Sequence, residues 1–239
     1  MDITTLTKEQ LAKTFDFSLL QAYLTEEQIK KHCDIAKKIR PAIVAINSVW
    51  TSYCKQQLSG TDVKVGASVA FPLGQMSIPS KLDECKNAIE DGADEIDYVC
   101  NIGRVKMHDW QYIKEEMTQL TSLCHNNNIP IKVIFENCYL EKEEIKQMAI
   151  IAKEVGIDYI KTSTGFGTGG ATIQDVQLMS ETVQGKVKVK AAGGIRSWHD
   201  AKAFLSAGAS RLGTSSALAI LEEFEKEKAN ETFSDGNNL

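Results

Sequence analysis

Three times along this chain a helix-like segment runs into a glycine and then straight into a strand-like run. The junctions are Glu90-Asp-Gly92-Ala-Asp-Glu-Ile, Glu154-Val-Gly156-Ile-Asp-Tyr-Ile and Ser206-Ala-Gly208-Ala-Ser-Arg-Leu. Glycine suits the left-handed residue that closes a helix, and the apolar positions after it enter a strand. Gly92 and Gly156 are 64 residues apart, and Gly156 and Gly208 are 52 apart. Each interval holds about two strand–helix units of ordinary size. A chain punctuated in this way is constrained to alternate strand and helix.

The segments between the junctions obey that alternation. Thr25-Glu-Glu-Gln28 is a capping-box pattern, and Ile29, Cys33 and Ala36 follow at helical spacing, predicting a helix over 25–39. Ile43–Ile46 is a short apolar run suited to a strand buried on both faces. Further strands are expected at 14–17, 64–70, 95–99, 131–136, ending at Lys161, at 187–191 and at 210–213. Helices are expected at 51–58, from Ser80 to Glu90, near 109–127, at 141–155, near 172–183, at 198–207 and from 215. Eight strands, each followed by a helix, mean a parallel sheet with helices outside. The count favours a closed (β/α)8 TIM barrel over an open doubly wound sheet. The absence of Gly-x-Gly-x-x-Gly after an early strand weakens the dinucleotide-binding alternative.

The length of 239 residues fits one such barrel as a single domain over 1–239. Residues 229–239 are polar and without periodicity and read as a mobile tail. The net charge of −5 supplies no basic excess for a nucleic-acid or membrane surface. No apolar run is long enough for a membrane span, and the first residues lack the layout of a signal peptide, so a cytoplasmic protein is expected. The six cysteines form no Cys-x-x-Cys pair and the four histidines show no ligand spacing. Free thiols in a reducing compartment are therefore expected, with no metal and no cofactor.

In a barrel of this type the active site lies at the C-terminal ends of the strands. The residues there include Asp16 on the first strand, Asp97 on the fourth, Glu136 at the end of the fifth, Lys161 at the end of the sixth and Lys190 on the seventh. Side chains alternate across a strand, so in Val187-Lys-Val-Lys190 both lysines face the interior, as do Glu95 and Asp97 in Glu95-Ile-Asp97. Buried lysines require buried acids. The expected interior network is Asp16, Glu95, Asp97, Lys188 and Lys190, with Lys161 at its mouth. Lys188 and Glu95 read as structural ion pairs; Lys161 and Lys190 read as functional. An amine is nucleophilic only when neutral, and a second cation or desolvation lowers its pKa. Asp97 is placed to move protons. Glycine-rich loops follow the seventh and eighth strands, at Ala192-Gly-Gly-Ile-Arg196 and Gly213-Thr-Ser-Ser216, and Gly165-Phe-Gly167 extends the rim. Loops at these two strand ends commonly bind phosphate through backbone N–H groups.

Tyr-Ile-Lys161-Thr-Ser-Thr-Gly-Phe, Val-Lys-Val-Lys190-Ala-Ala-Gly-Gly-Ile-Arg196 and Gly-Ala-Asp-Glu-Ile-Asp97 resemble the motifs of the deoxyribose-phosphate aldolase family. Phe71-Pro-Leu-Gly74, Lys132-Val-Ile-Phe-Glu136 and Arg211-Leu-Gly-Thr-Ser-Ser216 also match, so the resemblance spans almost the whole chain. It implies a class I, metal-free aldolase of deoxyribonucleotide catabolism, acting on small phosphorylated sugars and aldehydes, with a homodimer as the usual assembly. Lys161 would be the Schiff-base lysine, Lys190 the lysine that depresses its pKa, Asp97 the proton relay and Asp16 a substrate-side aspartate. Ser18, Gly165, Gly193, Gly194, Arg196, Gly213, Ser215 and Ser216 would form the substrate and phosphate region. The chain departs from common family residues at Phe17, where a histidine is frequent, at Ala192, where a serine is, and at Phe166, where some members carry a lysine; it ends Asn-Asn-Leu239 where some end in tyrosine. Two other readings are compatible with the residues alone: a Schiff-base lyase or transaldolase-like enzyme with another substrate, and a sugar-phosphate-binding barrel whose lysines only pair with acids.

Overall fold

The structure, a computed structural model, describes residues 3–236 of the chain. Among these residues eight parallel strands close into one barrel in sequence order. They are β1 (Phe15–Leu19), β2 (Ile43–Asn47), β3 (Lys64–Val69), β4 (Glu95–Val99), β5 (Ile131–Ile134), β6 (Tyr159–Lys161), β7 (Lys188–Ala192) and β8 (Arg211–Thr214). β8 returns to pair with β1, Asp16 opposite Gly213, which removes both sheet edges. The helices are α1 (Lys8–Ala12), α2 (Glu26–Ile39), α3 (Thr51–Gln57), α4 (Ile78–Glu90), α5 (Ile102–Lys106), α6 (Trp110–Asn126), α7 (Lys142–Val155), α8 (Ile173–Val183), α9 (Trp198–Ser206) and α10 (Ala217–Gly236). The expected (β/α)8 TIM barrel is the observed fold.

Local chemistry explains the element boundaries. The Thr25 side chain accepts from the Gln28 amide, and the Gln28 side chain accepts from the Thr25 amide, so the predicted capping box forms. Gly156 closes α7 in the left-handed region at φ 80°, and Gly92 and Gly208 follow α4 and α9 at φ 94° and 108°. Helix α4 begins at Ile78 rather than after Ser80, because Ser77 is the N-cap and Pro79 is tolerated in the first turn, where no amide donor is needed. The short helices α1 and α5 were not anticipated. α10 extends through Gly236, over most of the segment expected to be an aperiodic tail, since no glycine or proline interrupts 217–235. Residues 237–239 of that expected tail lie outside the described residues.

The strand parity divides two interiors. Phe15, Val44, Val65, Ile96, Val133 and Leu212 point outward and join the helix faces in one apolar cluster. The alternate residues point into the barrel, where Asp16, Glu95, Asp97, Lys132, Lys161 and Lys190 are all buried. The barrel centre is therefore ionic, enclosed by an apolar shell that excludes water from it.

Candidate active site

Lys132 organises the lower part of the ionic interior. Its Nζ donates to Glu95 Oε2 at 2.5 Å and to Asp97 Oδ1 at 2.9 Å, and stands 3.6 Å from Asp16 Oδ2. Arg211 closes the same layer, with Nη1 2.6 Å from Asp16 Oδ1 and Nη2 3.0 Å from Glu95 Oε1. Above them Lys190 Nζ lies 2.5 Å from Asp16 Oδ2 and 2.6 Å from Asp97 Oδ2. Lys161 Nζ donates to that same Asp97 Oδ2 at 2.9 Å. One carboxylate oxygen thus holds two lysines from neighbouring strands, which are in register at Lys161 and Lys190.

Lys188, expected in this network from its strand parity, is not part of it. Lys188 has the inward parity of Lys190, but it is the first residue of β7 and lies exposed at the N-terminal mouth of the barrel. Its ammonium is 5.4 Å from the Tyr159 ring centre, and its charge is solvated rather than paired within the cluster. Lys132 and Arg211 take the place assigned to it. Parity was the signal that could have found Lys132: Ile131 and Val133 face the helices, so the residue between them faces in.

Electrostatics follow from this packing. Burial by itself raises the pKa of Asp16, but Lys190, Lys132 and Arg211 outweigh it and hold the carboxyl at about 2. Asp97 is likewise kept well below the ordinary carboxylate range, the desolvation being outweighed by Lys132, Lys161 and Lys190. Lys161 moves the other way. Desolvation is the largest cause, Lys190 adds to it, and Asp97 opposes both; the amine is pushed down to about 8. Burial, more than the neighbouring lysine, therefore prepares this amine to lose its proton.

A cavity of about 270 Å³ opens above these lysines at the C-terminal ends of the strands. Lys161 and Lys190 reach its floor, whereas Asp16 and Asp97 lie beneath it and meet it through the lysines. Ser18 and Gly213 contribute from β1 and β8, Gly165 from the loop after β6, and Gly193, Gly194 and Arg196 from the loop after β7. Ser215 completes the wall just before α10. Ser216 is not on the wall; its amide donates to Thr214 Oγ1 at 2.9 Å. Glycine is needed where two loops cross: a Cβ on Gly170 would stand 2.3 Å from the Gly193 carbonyl oxygen. Among the residues not foreseen, Thr164 lines the cavity and is fixed from behind by Glu136, whose buried carboxylate accepts both its amide and its hydroxyl. Phe166 packs edge-on against Phe71, ring centres 5.5 Å apart, and Phe71 lies 5.9 Å from Lys161 Nζ. A larger hollow of about 570 Å³ lies at the other end of the barrel, between α1, α2 and α10. Its Lys13 and Arg40 are engaged by Asp62, so it brings no reactive group to a floor.

A lysine with a depressed pKa on the floor of a cavity, flanked by a second lysine and glycine loops, is a constellation suited to carbonyl chemistry. Residues 1–223 match the DeoC/LacD family aldolase profile. The chain belongs to the DeoC/LacD aldolase family. As a family member it is a lyase. It is 52% identical over 216 residues to the deoxyribose-phosphate aldolase of Lactobacillus acidophilus, covering 90% of this chain and 91% of that one. Among solved structures it resembles QR15, an aldolase, with TM-score 0.86 and 35% identity over 92% of this chain and 97% of that one. It also resembles the tetrameric deoxyribose phosphate aldolase of Aeropyrum pernix, with TM-score 0.85 and 30% identity over 92% of each chain. No helix among the described residues is long and apolar enough to cross a membrane.

Proposed function

We propose that this aldolase reversibly cleaves 2-deoxy-D-ribose 5-phosphate to D-glyceraldehyde 3-phosphate and acetaldehyde through a Schiff base on Lys161. The observation that carries the reading is the single Asp97 oxygen held by both Lys161 and Lys190 at the cavity floor. The family match and the names of the relatives support the substrate.

In the cleavage direction the neutral Lys161 amine adds to C1 of the open-chain sugar, and loss of water gives the iminium ion. The C3 hydroxyl loses its proton, the C2–C3 bond breaks, and its electron pair moves into the iminium as an enamine. Glyceraldehyde 3-phosphate leaves. Protonation of the enamine at C2 and hydrolysis of the imine release acetaldehyde and restore Lys161. Asp97, kept well below the ordinary carboxylate range and accepting from Lys190, serves as the acceptor side of the proton relay. Asp16 fixes Lys190 from below. The phosphate is received by the loops after β6, β7 and β8, with Gly165, Gly193, Gly194, Gly213 and Ser215 shaping the backbone and Arg196 supplying a cation at the rim; Ser216 supports that turn from behind through Thr214, and Ser18 faces the sugar from β1.

The test is a covalent trap. Incubation with acetaldehyde and borohydride should add two carbons to Lys161, read by peptide mass, and Lys161→Ala should abolish the adduct. A wild-type protein that gives no adduct at Lys161 would overturn the Schiff-base reading. An adduct without cleavage of deoxyribose phosphate would assign the same chemistry to another carbonyl substrate.

A further inference from the structure

Eight ion pairs between 2.5 and 3.6 Å join Asp16, Glu95, Asp97, Lys132, Lys161, Lys190 and Arg211 into one connected cluster inside the barrel. Four of these groups are cations and three are anions. The cluster carries one net positive charge when Lys161 is protonated and none when it is neutral. The contacts also single out which proton leaves. Lys132 touches three carboxylates, and Lys190 and Arg211 touch two each. Lys161 touches only Asp97, on an oxygen it shares with Lys190. A buried, uncompensated charge is costly, and Lys161 is the cation with the fewest counter-charges.

We propose that Glu95, Lys132 and Arg211, none of which lines the cavity, are positioning residues whose charges balance the cluster so that it is neutral when Lys161 is in its nucleophilic form. The other groups facing the interior do not upset the count. β2 and β3 present Ile43, Ala45, Asn47, Gly66 and Ser68, which carry no charge, and Lys64, which begins β3 and is exposed at the lower mouth. Lys188 is solvated at the lower mouth beside Tyr159, and Arg196 is exposed at the upper rim. Glu136 from the end of β5 stands apart from the cluster: its carboxylate accepts the Thr164 amide and hydroxyl, and it forms no ion pair with any of the seven groups.

The charge balance makes a prediction about sign. Glu95→Gln removes a negative charge, disfavours protonated Lys161 and moves the midpoint of its reactivity to lower pH. Lys132→Met and Arg211→Gln each remove a positive charge and move the midpoint to higher pH, Arg211→Gln by less because it does not touch Asp97. A unit charge about 7 Å away at an effective dielectric constant of about 20 corresponds to a shift of about 1.7 pH units. The double substitution Glu95→Gln/Lys132→Met is charge-compensated and returns the midpoint toward wild type. Arg211→Lys, which keeps the charge, leaves it in place.

The measurement is the pH dependence of Lys161 acetylation by acetic anhydride, read by peptide mass, alongside reductive trapping of acetaldehyde. Circular dichroism identifies folded variants, and if Lys132→Met does not fold, Glu95→Gln against Arg211→Gln still tests the sign. Opposite displacements support the proposal. Midpoints that move together, or that do not separate, overturn it, because loss of packing alone has no reason to follow the sign of the deleted charge. The inference rests on Lys161 being the reactive amine, but the anhydride readout does not require aldol chemistry. Failure to trap acetaldehyde in the wild type would therefore count against the proposed function alone.

Discussion

The reactivity proposed for Lys161 comes from what surrounds its nitrogen. With its pKa at about 8, the neutral amine grows from a minor to a major fraction as pH rises through that value. Imine formation should therefore rise with pH below about 8 and level above it. Lys190→Met removes the neighbouring cation and frees Asp97 Oδ2 to bind Lys161 alone. Both changes favour the protonated amine, so the rising limb should move up by about one pH unit and the rate near pH 7 should fall about tenfold. Rates of acetaldehyde trapping across pH check this, and a limb that stays in place would remove Lys190 from the control of Lys161. Phe166 and Phe71 complete the picture at this scale: they make one side of the approach to Lys161 aromatic where some family members carry a lysine.

The helices contribute more than an apolar coat. Lys81 of α4 and Glu116 of α6 are both fully buried, with Lys81 Nζ 2.7 Å from Glu116 Oε1 and 2.7 Å from the Val99 carbonyl oxygen. The other Glu116 oxygen accepts the Asn101 amide, so the pair pins the loop leaving β4, the strand that carries Asp97. Lys81→Met should cost about 3–5 kcal/mol, because it strands a buried carboxylate. Lys81→Met/Glu116→Leu should recover much of that loss, since replacing both partners leaves no orphaned charge. Urea unfolding of the two single variants and the double variant measures the difference. Equal losses in the single and double variants would show that packing volume, rather than the stranded charge, dominates.

At the scale of the whole molecule the acid limb of stability has a defined first step. His32 on α2 is buried against β1, its ring stacked on Phe17 at 3.8 Å and its Nε2 donating to the Phe17 carbonyl oxygen at 3.1 Å. Desolvation is the larger influence and outweighs that hydrogen bond, lowering its pKa to about 4 from an ordinary 6.5. Between these values the unfolded chain binds the proton and the folded one does not. The stability that His32 provides is thus complete above about pH 6.5 and is lost as pH falls toward 4, to a maximum of about 3 kcal/mol. Asp16 follows the carboxylate sign, its contribution being present above pH 3.8 and lost as pH falls to about 2. His32→Phe should flatten the slope of unfolding free energy between pH 6.5 and 4. An unchanged slope would place the acid limb elsewhere.

The fold was legible because its signals are local. Capping residues, glycines after helices and short apolar runs are read within a few residues of themselves, and their order leaves a closed barrel as the natural solution. The β6 and β7 motifs likewise announced Lys161 and Lys190. Depth was not legible. Alternation told which side of a strand Lys188 faces, but only the barrel's stagger shows that Lys188 ends in water and that Lys132 and Arg211 end among the carboxylates. Lys81 and Glu116 read as solvated helix residues until α4 and α6 pack together. The sequence by itself determined which residues could be reactive. Tertiary structure decided which charges are buried together, and a lysine's pKa depends on that company and on water's exclusion, neither of which is a property of sequence neighbours.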